Sequence, residues 1–337
     1  MQLGFMVLFN FAQSGKMNAQ EEMCLTNSNY PNALMAVVGI PPCNELVTEP
    51  FYLRIAVNLI RRSDGSYDRT LQDVYEALNL LQEPYATHGI YFRLECVRFL
   101  DDDDLYNQTN NEAQYCIDGG TYPNSCIYLN FPDLFFDNAI TVFVYPKGTP
   151  TALGGGFGFA SGIPGNGLMV KGFWRSTEID NSGNTISEQF IDVFKSGILA
   201  HEMGHCLGLF HTFHGLCGED GCVETTTPET DPDNPCECGD YVADTPADPR
   251  IEDQLIDDET CELIILGGCD VPLLNYNPLT DNIMSYAGPT CEQNLTNGQK
   301  DRIKHHLLDA PLFAPVLQNC IIPLSQVNQS LTQNWFN

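Results

Sequence analysis

From His201 to His211 the chain reads His-Glu-Met-Gly-His-Cys-Leu-Gly-Leu-Phe-His, and these residue types at this spacing describe a metal site. An α-helix turns once in about 3.6 residues, so His201 and His205, four apart, leave it on one face and can grip one ion. Glu202 stands beside them, where its carboxylate can reach a water on that ion. Gly208 takes a positive φ without a Cβ penalty, so it can stop the helix sharply and let His211 return as third ligand. Three neutral imidazoles with one open position are the ligand set of catalytic zinc, not of a closed structural site. Such a zinc lowers the pKa of water from about 15.7 toward about 7. Glu202 is then placed to act as the base that takes the proton of that water.

Two other readings of the same stretch are weaker. The second large class of His-Glu-x-x-His zinc enzymes continues its first helix and takes a Glu ligand from a later one, whereas here Gly208 breaks the helix and His211 follows. A zinc-stabilised binding module without activity would have no need of the general base, and Glu202 is present.

The rest of the chain must position these groups in a suitable compartment. Its 337 residues are ample for a sizeable core, and 43% of them are hydrophobic, which excludes an acidic disordered tail. Asp and Glu number 44 against 15 Lys and Arg, a formal net charge of −29, so nucleic acid and anionic membrane surfaces are not expected partners. Fourteen cysteines point to disulfides and an oxidising compartment, and therefore to a secreted, extracellular protein. Leu3 to Phe9 is an apolar run too short to span a bilayer, and small residues follow it, so residues 1–19 read as a signal peptide. No later stretch has the length of a membrane helix, and no membrane insertion is expected.

Residues 20–48 are polar and irregular and read as a short pro-segment or N-terminal arm. Residues 49–337 read as the catalytic domain, divided into an N-terminal lobe (49–208) and a C-terminal lobe (209–337). Alternating β-formers predict strands at 51–60, 89–97, 140–145 and 168–171. Leu71, Val74, Tyr75, Leu78 and Leu81 follow helical spacing over 68–82. Strand, helix, strand at this spacing predicts a parallel pair with a right-handed crossover. Asp101 to Asp104 read as a solvated acidic loop, with calcium binding as the lesser alternative, and the glycines at 154–156 as a turn into a further strand. The metal helix should begin near Lys195 or Ser196. Residues 214–280 promise little regular structure, and Thr296 is a natural N-cap for a last helix reaching about Asp309.

The extended motif from His201 to His211, with Asp281-Asn282-Ile283-Met284-Ser285-Tyr286 far downstream, resembles the metzincin metallopeptidases, which pair a third histidine with a methionine turn. Within that group His211-Thr212-Phe213, Gly239-Asp240-Tyr241-Val242-Ala243-Asp244-Thr245-Pro246, and Leu295-Thr296-Asn297-Gly298-Gln299 with Arg302 are similar to the pappalysin family. The resemblance implies an α+β zincin fold of two lobes around a cleft. Its N-terminal lobe is a twisted mixed sheet with a backing helix and an active-site helix; its C-terminal lobe is irregular and ends in a helix. It further implies a zinc endopeptidase acting on proteins or peptides, with an antiparallel edge strand at the cleft rim to pair with extended substrate.

Several residue roles come with the resemblance. Met284 would lie beneath the imidazoles as an apolar floor, a gap-filling task that suits a thioether. Tyr286 would donate its hydroxyl to the developing oxyanion; the alternative is a core aromatic. Cys236, Cys261, Cys269 and Cys291 allow three pairings, and the family implies Cys236–Cys269 and Cys261–Cys291. Asp240, Asp244 and Thr245 offer carboxylates and a hydroxyl within one short loop, which reads either as a solvated acidic loop or as a calcium site. The pappalysin pattern implies calcium there. Neither Cys24, in Glu-Met-Cys-Leu-Thr, nor Cys43, in Pro-Pro-Cys-Asn-Glu, stands in the Arg-x-Cys-Gly context of a zinc-capping latency cysteine.

Overall fold

Strands β2 (Phe51–Arg61), β3 (Ile90–Asp101) and β4 (Ile140–Val144) form the parallel centre of the sheet, rich in the β-branched and aromatic residues that suit a strand buried on both faces. A computed structural model describes residues 22–24, 50–66, 69–106, 134–145, 158–170, 172–179, 185–216, 221–226, 234–251, 256–257, 259–264, 276–288 and 290–317. β1 (Glu22–Cys24), β5 (Gly158–Ala160) and β6 (Gly167–Val170) complete the sheet in the order β1-β3-β2-β4-β6-β5. β6 runs parallel to β4, whereas β1 and β5 close the two edges antiparallel. A separate antiparallel hairpin pairs β7 (Phe173–Ile179) with β8 (Thr185–Asp192).

The period-two alternation of the strands divides the core. Leu53, Ile55, Val57 and Leu59 of β2, Val142 and Val144 of β4, and Leu168 and Val170 of β6 face two helices. Ile60, Phe143 and Met169 turn to the other face, against Leu134 and Tyr145. The first helix, Leu71–Ala86, starts at a capping box in which the Asp73 amide donates to the Thr70 hydroxyl and the Thr70 amide to the Asp73 carboxylate. Its Val74, Ala77, Leu78, Leu81 and Tyr85 are buried against the sheet and the metal helix. This helix with β2 and β3 makes the predicted parallel unit, and the whole is an α+β fold on a mixed sheet.

Two differences from the expected elements have local causes. β3 extends to Asp101, because Arg61 pairs with that carboxylate and carries it into the sheet edge. Asp103–Tyr106 then makes one helical turn, so the acidic run is not a plain loop. The hairpin β7–β8 was not predicted, although Asp180-Asn181-Ser182-Gly183-Asn184 between two runs with β-formers is a hairpin signal. The reading of residues 1–19 as a signal peptide lies outside the described residues, as does the arm at 20–48 apart from β1.

Candidate metal centre

The metal helix runs over Gly197–Cys206, and the Ser196 hydroxyl caps it by accepting the Ile198 amide at 3.3 Å. Lys195, just before it, reaches Asp73 at 2.9 Å and Glu76 at 3.0 Å, tying its start to the first helix. The buried Tyr85 hydroxyl donates to the Ala200 carbonyl at 2.7 Å and fixes the helix from behind. The helix ends in a Schellman motif. The Gly208 amide donates to His205 at 2.9 Å and the Leu209 amide to Gly204 at 2.9 Å, with Gly208 at φ +97°. That reversal is what brings His211 back toward the helix.

His201, His205 and His211 present ligand nitrogens that all lie within 4.8 Å of one another. The His205 and His211 Nε2 atoms are 3.1 Å apart. His201 Nδ1 lies 2.6 Å from the Ile283 carbonyl and His205 Nδ1 2.8 Å from the Leu209 carbonyl. Carbonyls only accept, so both Nδ1 atoms carry the protons and both Nε2 lone pairs turn to the shared centre. Burial first, then the neighbouring imidazoles, holds His201 far below the ordinary histidine value, so its ring is neutral. Zinc bonds imidazole nitrogens at about 2.0–2.1 Å, and the donor set fits that metal. His214 is not in the group; its ring stacks on Phe210 at 4.4 Å.

Glu202, 6% exposed, lies against the backbone of edge strand β5. A Cβ on Gly158 would meet the Glu202 carboxyl oxygen at 2.7 Å, so only a glycine there leaves the carboxylate room. Below the helix, a Cβ on Gly204 would meet the Met284 sulfur. Met284 is fully buried. The Thr212 amide donates to the Met284 carbonyl at 3.0 Å, joining the His211 loop to the methionine turn. Tyr286 packs its ring 5.8 Å from His201, 4.8 Å from His211 and 4.8 Å from Phe213.

The last helix, Asn297–Asp309, holds this turn from outside. Thr296 and Gln299 form its capping box, and the Gln299 amide also pairs reciprocally with Asn282 at 2.8 and 3.0 Å. Asn282 in turn accepts the Met284 amide at 2.9 Å, so the helix cap reaches the methionine turn through one pair of buried amides. Arg302 donates Nε to the Gly208 carbonyl at 2.8 Å, and the buried His306 ring covers Gly208. Sequence spacing assigned Gln299 to the helix but gave no role to Arg302 or His306, because their partners are about ninety residues away.

The expected calcium ligands differ in burial and in their hydrogen-bond partners. Asp240 is buried, and its Oδ1 accepts the Thr245 hydroxyl at 2.8 Å and the Val242 amide at 3.1 Å. Asp244 is exposed, and both of its oxygens accept the Gly298 amide, at 3.1 and 3.0 Å, as a cap on the last helix. Beside Asp240 lies Glu224, whose Oε2 would sit 2.6 Å from a Cβ on Gly239. Burial pushes the carboxyl of Asp240 up to about 8 and that of Glu224 up to about 9. Glu224 sits in an acidic loop whose sequence gave no reason to prefer it.

Disulfides join Cys261 to Cys291 and Cys222 to Cys238. Cys236 is disulfide-bonded too, and its expected partner Cys269 lies outside the described residues. Cys206 is a buried free thiol donating to the Gly167 carbonyl at 3.2 Å, a small apolar filler inside the motif.

A helix that carries two imidazoles and breaks at a glycine to deliver a third, above a buried methionine, belongs to the zinc metallopeptidases. Residues 174–308 match the family model described as pregnancy-associated plasma protein-A. The chain is a metallopeptidase, and over this stretch it is similar to the pappalysin type. It is similar to Extracellular metalloprotease 1 of Coccidioides posadasii, 24% identical over 257 residues that cover 76% of this chain and 74% of that protein. An extracellular metalloprotease of Neurospora crassa is 24% identical over 280 residues, 80% of this chain and 78% of the relative. Among solved structures, mature mirolysin of Tannerella forsythia in complex with a cleaved peptide gives a TM-score of 0.47 at 13% identity, covering 80% of this chain and 96% of that one.

Proposed function

We propose that the chain is a secreted endopeptidase that cuts internal peptide bonds of proteins or peptides, with His201, His205 and His211 as zinc ligands, Glu202 as general base and Tyr286 as oxyanion donor. The observation that carries this reading is the convergence of three imidazole nitrogens within 4.8 Å, with the Glu202 carboxyl beside them against β5. A zinc ion held there supplies Lewis acidity and an acidified water. Glu202 takes the proton of the attacking water and passes it to the leaving amine. The Tyr286 hydroxyl donates to the oxygen of the scissile carbonyl as charge develops on it. β5 is the edge of the sheet, and an extended substrate pairing with that edge passes directly over Glu202. The zinc helix comes from residues 49–208, and His211 and Tyr286 from 209–337, which supports a cleft between two lobes.

Secretion is supported by the disulfides, by the extracellular naming of the relatives, and by the lack of any helix long and apolar enough to cross a membrane among the described residues. Calcium beside Asp240 and Thr245 is supported by the Asp240 Oδ2 and Glu224 Oε2 atoms, buried without a hydrogen-bond partner among the described residues. The deciding experiment is Glu202→Ala. It should keep one zinc per chain and lose most turnover of a generic protein substrate; near-parental turnover would sink the mechanism.

A further inference from the structure

Asp248 joins the loop that carries the third imidazole to the methionine turn, through hydrogen bonds to one residue of each. It is 2% exposed. Its Oδ2 accepts the Thr212 hydroxyl at 2.6 Å and the Ser285 hydroxyl at 3.2 Å, and its Oδ1 accepts the Ile251 amide at 3.1 Å. Thr212 directly follows His211, and Ser285 directly precedes Tyr286. One carboxylate therefore stands a single residue from the third ligand on one side and from the oxyanion donor on the other.

A buried carboxylate is an expensive way to hold two loops that already share the backbone bond from Thr212 to Met284. What the carboxylate adds is direction. Two hydroxyls on one oxygen fix the side chains of Thr212 and Ser285, and with them the backbone that aims His211 and Tyr286.

We propose that Asp248 is a positioning residue for the hydrolytic reaction, setting His211 against Tyr286, whose ring centroids lie 4.8 Å apart. The proposal rests on the reading of His211 as ligand and Tyr286 as donor. Small displacements of reacting groups are costly in rate, so the effect belongs in kcat and in metal retention more than in KM.

The test is Asp248→Asn, which keeps the shape and replaces one acceptor oxygen by a donor. Zinc release to a chelator should speed up on the order of tenfold, and kcat should fall on the order of tenfold, with KM changed less than about twofold. Three single variants separate positioning from plain destabilisation, and they carry the test should Asp248→Asn not fold. Thr212→Val should speed zinc release, and Thr212→Ser, which keeps the hydroxyl, should restore retention. Ser285→Ala should lower kcat with zinc release near parental. Parental zinc release and kcat in Asp248→Asn, alongside zinc loss in His211→Ala, overturn the positioning role and leave the ligand set standing. Zinc held as tightly by His211→Ala as by the parent overturns the ligand set and the inference with it.

Discussion

Met284 lies so close beneath Gly204 that a Cβ on the glycine would meet the methionine sulfur at 2.4 Å. Gly204 thus occupies the middle of a helix for a packing reason. Alanine there gains about 0.8–1.0 kcal/mol of helix propensity. It also overpacks a fully buried contact, a change that costs about 1–3 kcal/mol. Clash should win. Gly204→Ala should lower the melting temperature, and Gly204→Ala with Met284→Ala should recover part of the loss; a single variant more stable than the parent would show that the sulfur moves aside freely.

Gly208 is needed twice over, for its φ of +97° and because a Cβ would meet the His306 ring at 2.2 Å. Asparagine tolerates positive φ far better than alanine does, but it brings the same Cβ. Gly208→Asn and Gly208→Ala should therefore both lose zinc affinity and thermal stability. Retention of both properties by the asparagine variant would mean that backbone conformation alone explains the glycine.

The site was legible where chemistry prescribes residue types at short spacing. His201, His205 and Gly208 follow from helix geometry, and Thr296 from the logic of a helix start. The distant groups were not legible. Asp248 reaches Thr212 across thirty-six residues and Ser285 across thirty-seven, and nothing in Asp248-Pro249-Arg250 marks it. Asp244 was legible only in part. Its place in a short acidic loop suggested a cation, and nothing local showed that both its oxygens accept the Gly298 amide. The strands at 51–61 and 140–144 were readable from β-formers, whereas their order in the sheet depends on pairings that no local pattern encodes.

Tyr286→Phe removes only the hydroxyl. The ring keeps its contacts with His201, His211 and Phe213, so zinc content and melting temperature should stay near the parent. kcat should fall about tenfold or more if the hydroxyl donates to the oxyanion. An unchanged kcat would reduce Tyr286 to a packing residue.

Calcium held beside Asp240, as proposed, would compete with protons for the same oxygens. Asp240 and Glu224 carry carboxyls raised from 3.8 and 4.5 to about 8 and about 9, chiefly by burial. In the calcium-free folded chain both are protonated at neutral pH, while in the unfolded chain both are ionised. Folding then takes up protons, so the contribution of these groups is fully present below about pH 4 and is lost as pH rises through their folded values. The calcium-free melting temperature should accordingly contain a component that falls from about pH 5 to about pH 9. A cation bound by ionised carboxylates must displace those protons, so its stabilising effect should grow with pH. At a hundred times Kd it amounts to about 2.7 kcal/mol. The measurement is thermal unfolding of the zinc-loaded protein against calcium at about pH 6 and about pH 8.5, with magnesium as control. Asp240→Asn should abolish the response. Asp244→Ala should keep it and lose about 1 kcal/mol with the helix cap. A melting temperature indifferent to calcium at the higher pH would leave the pair as two buried acids with no ion to serve.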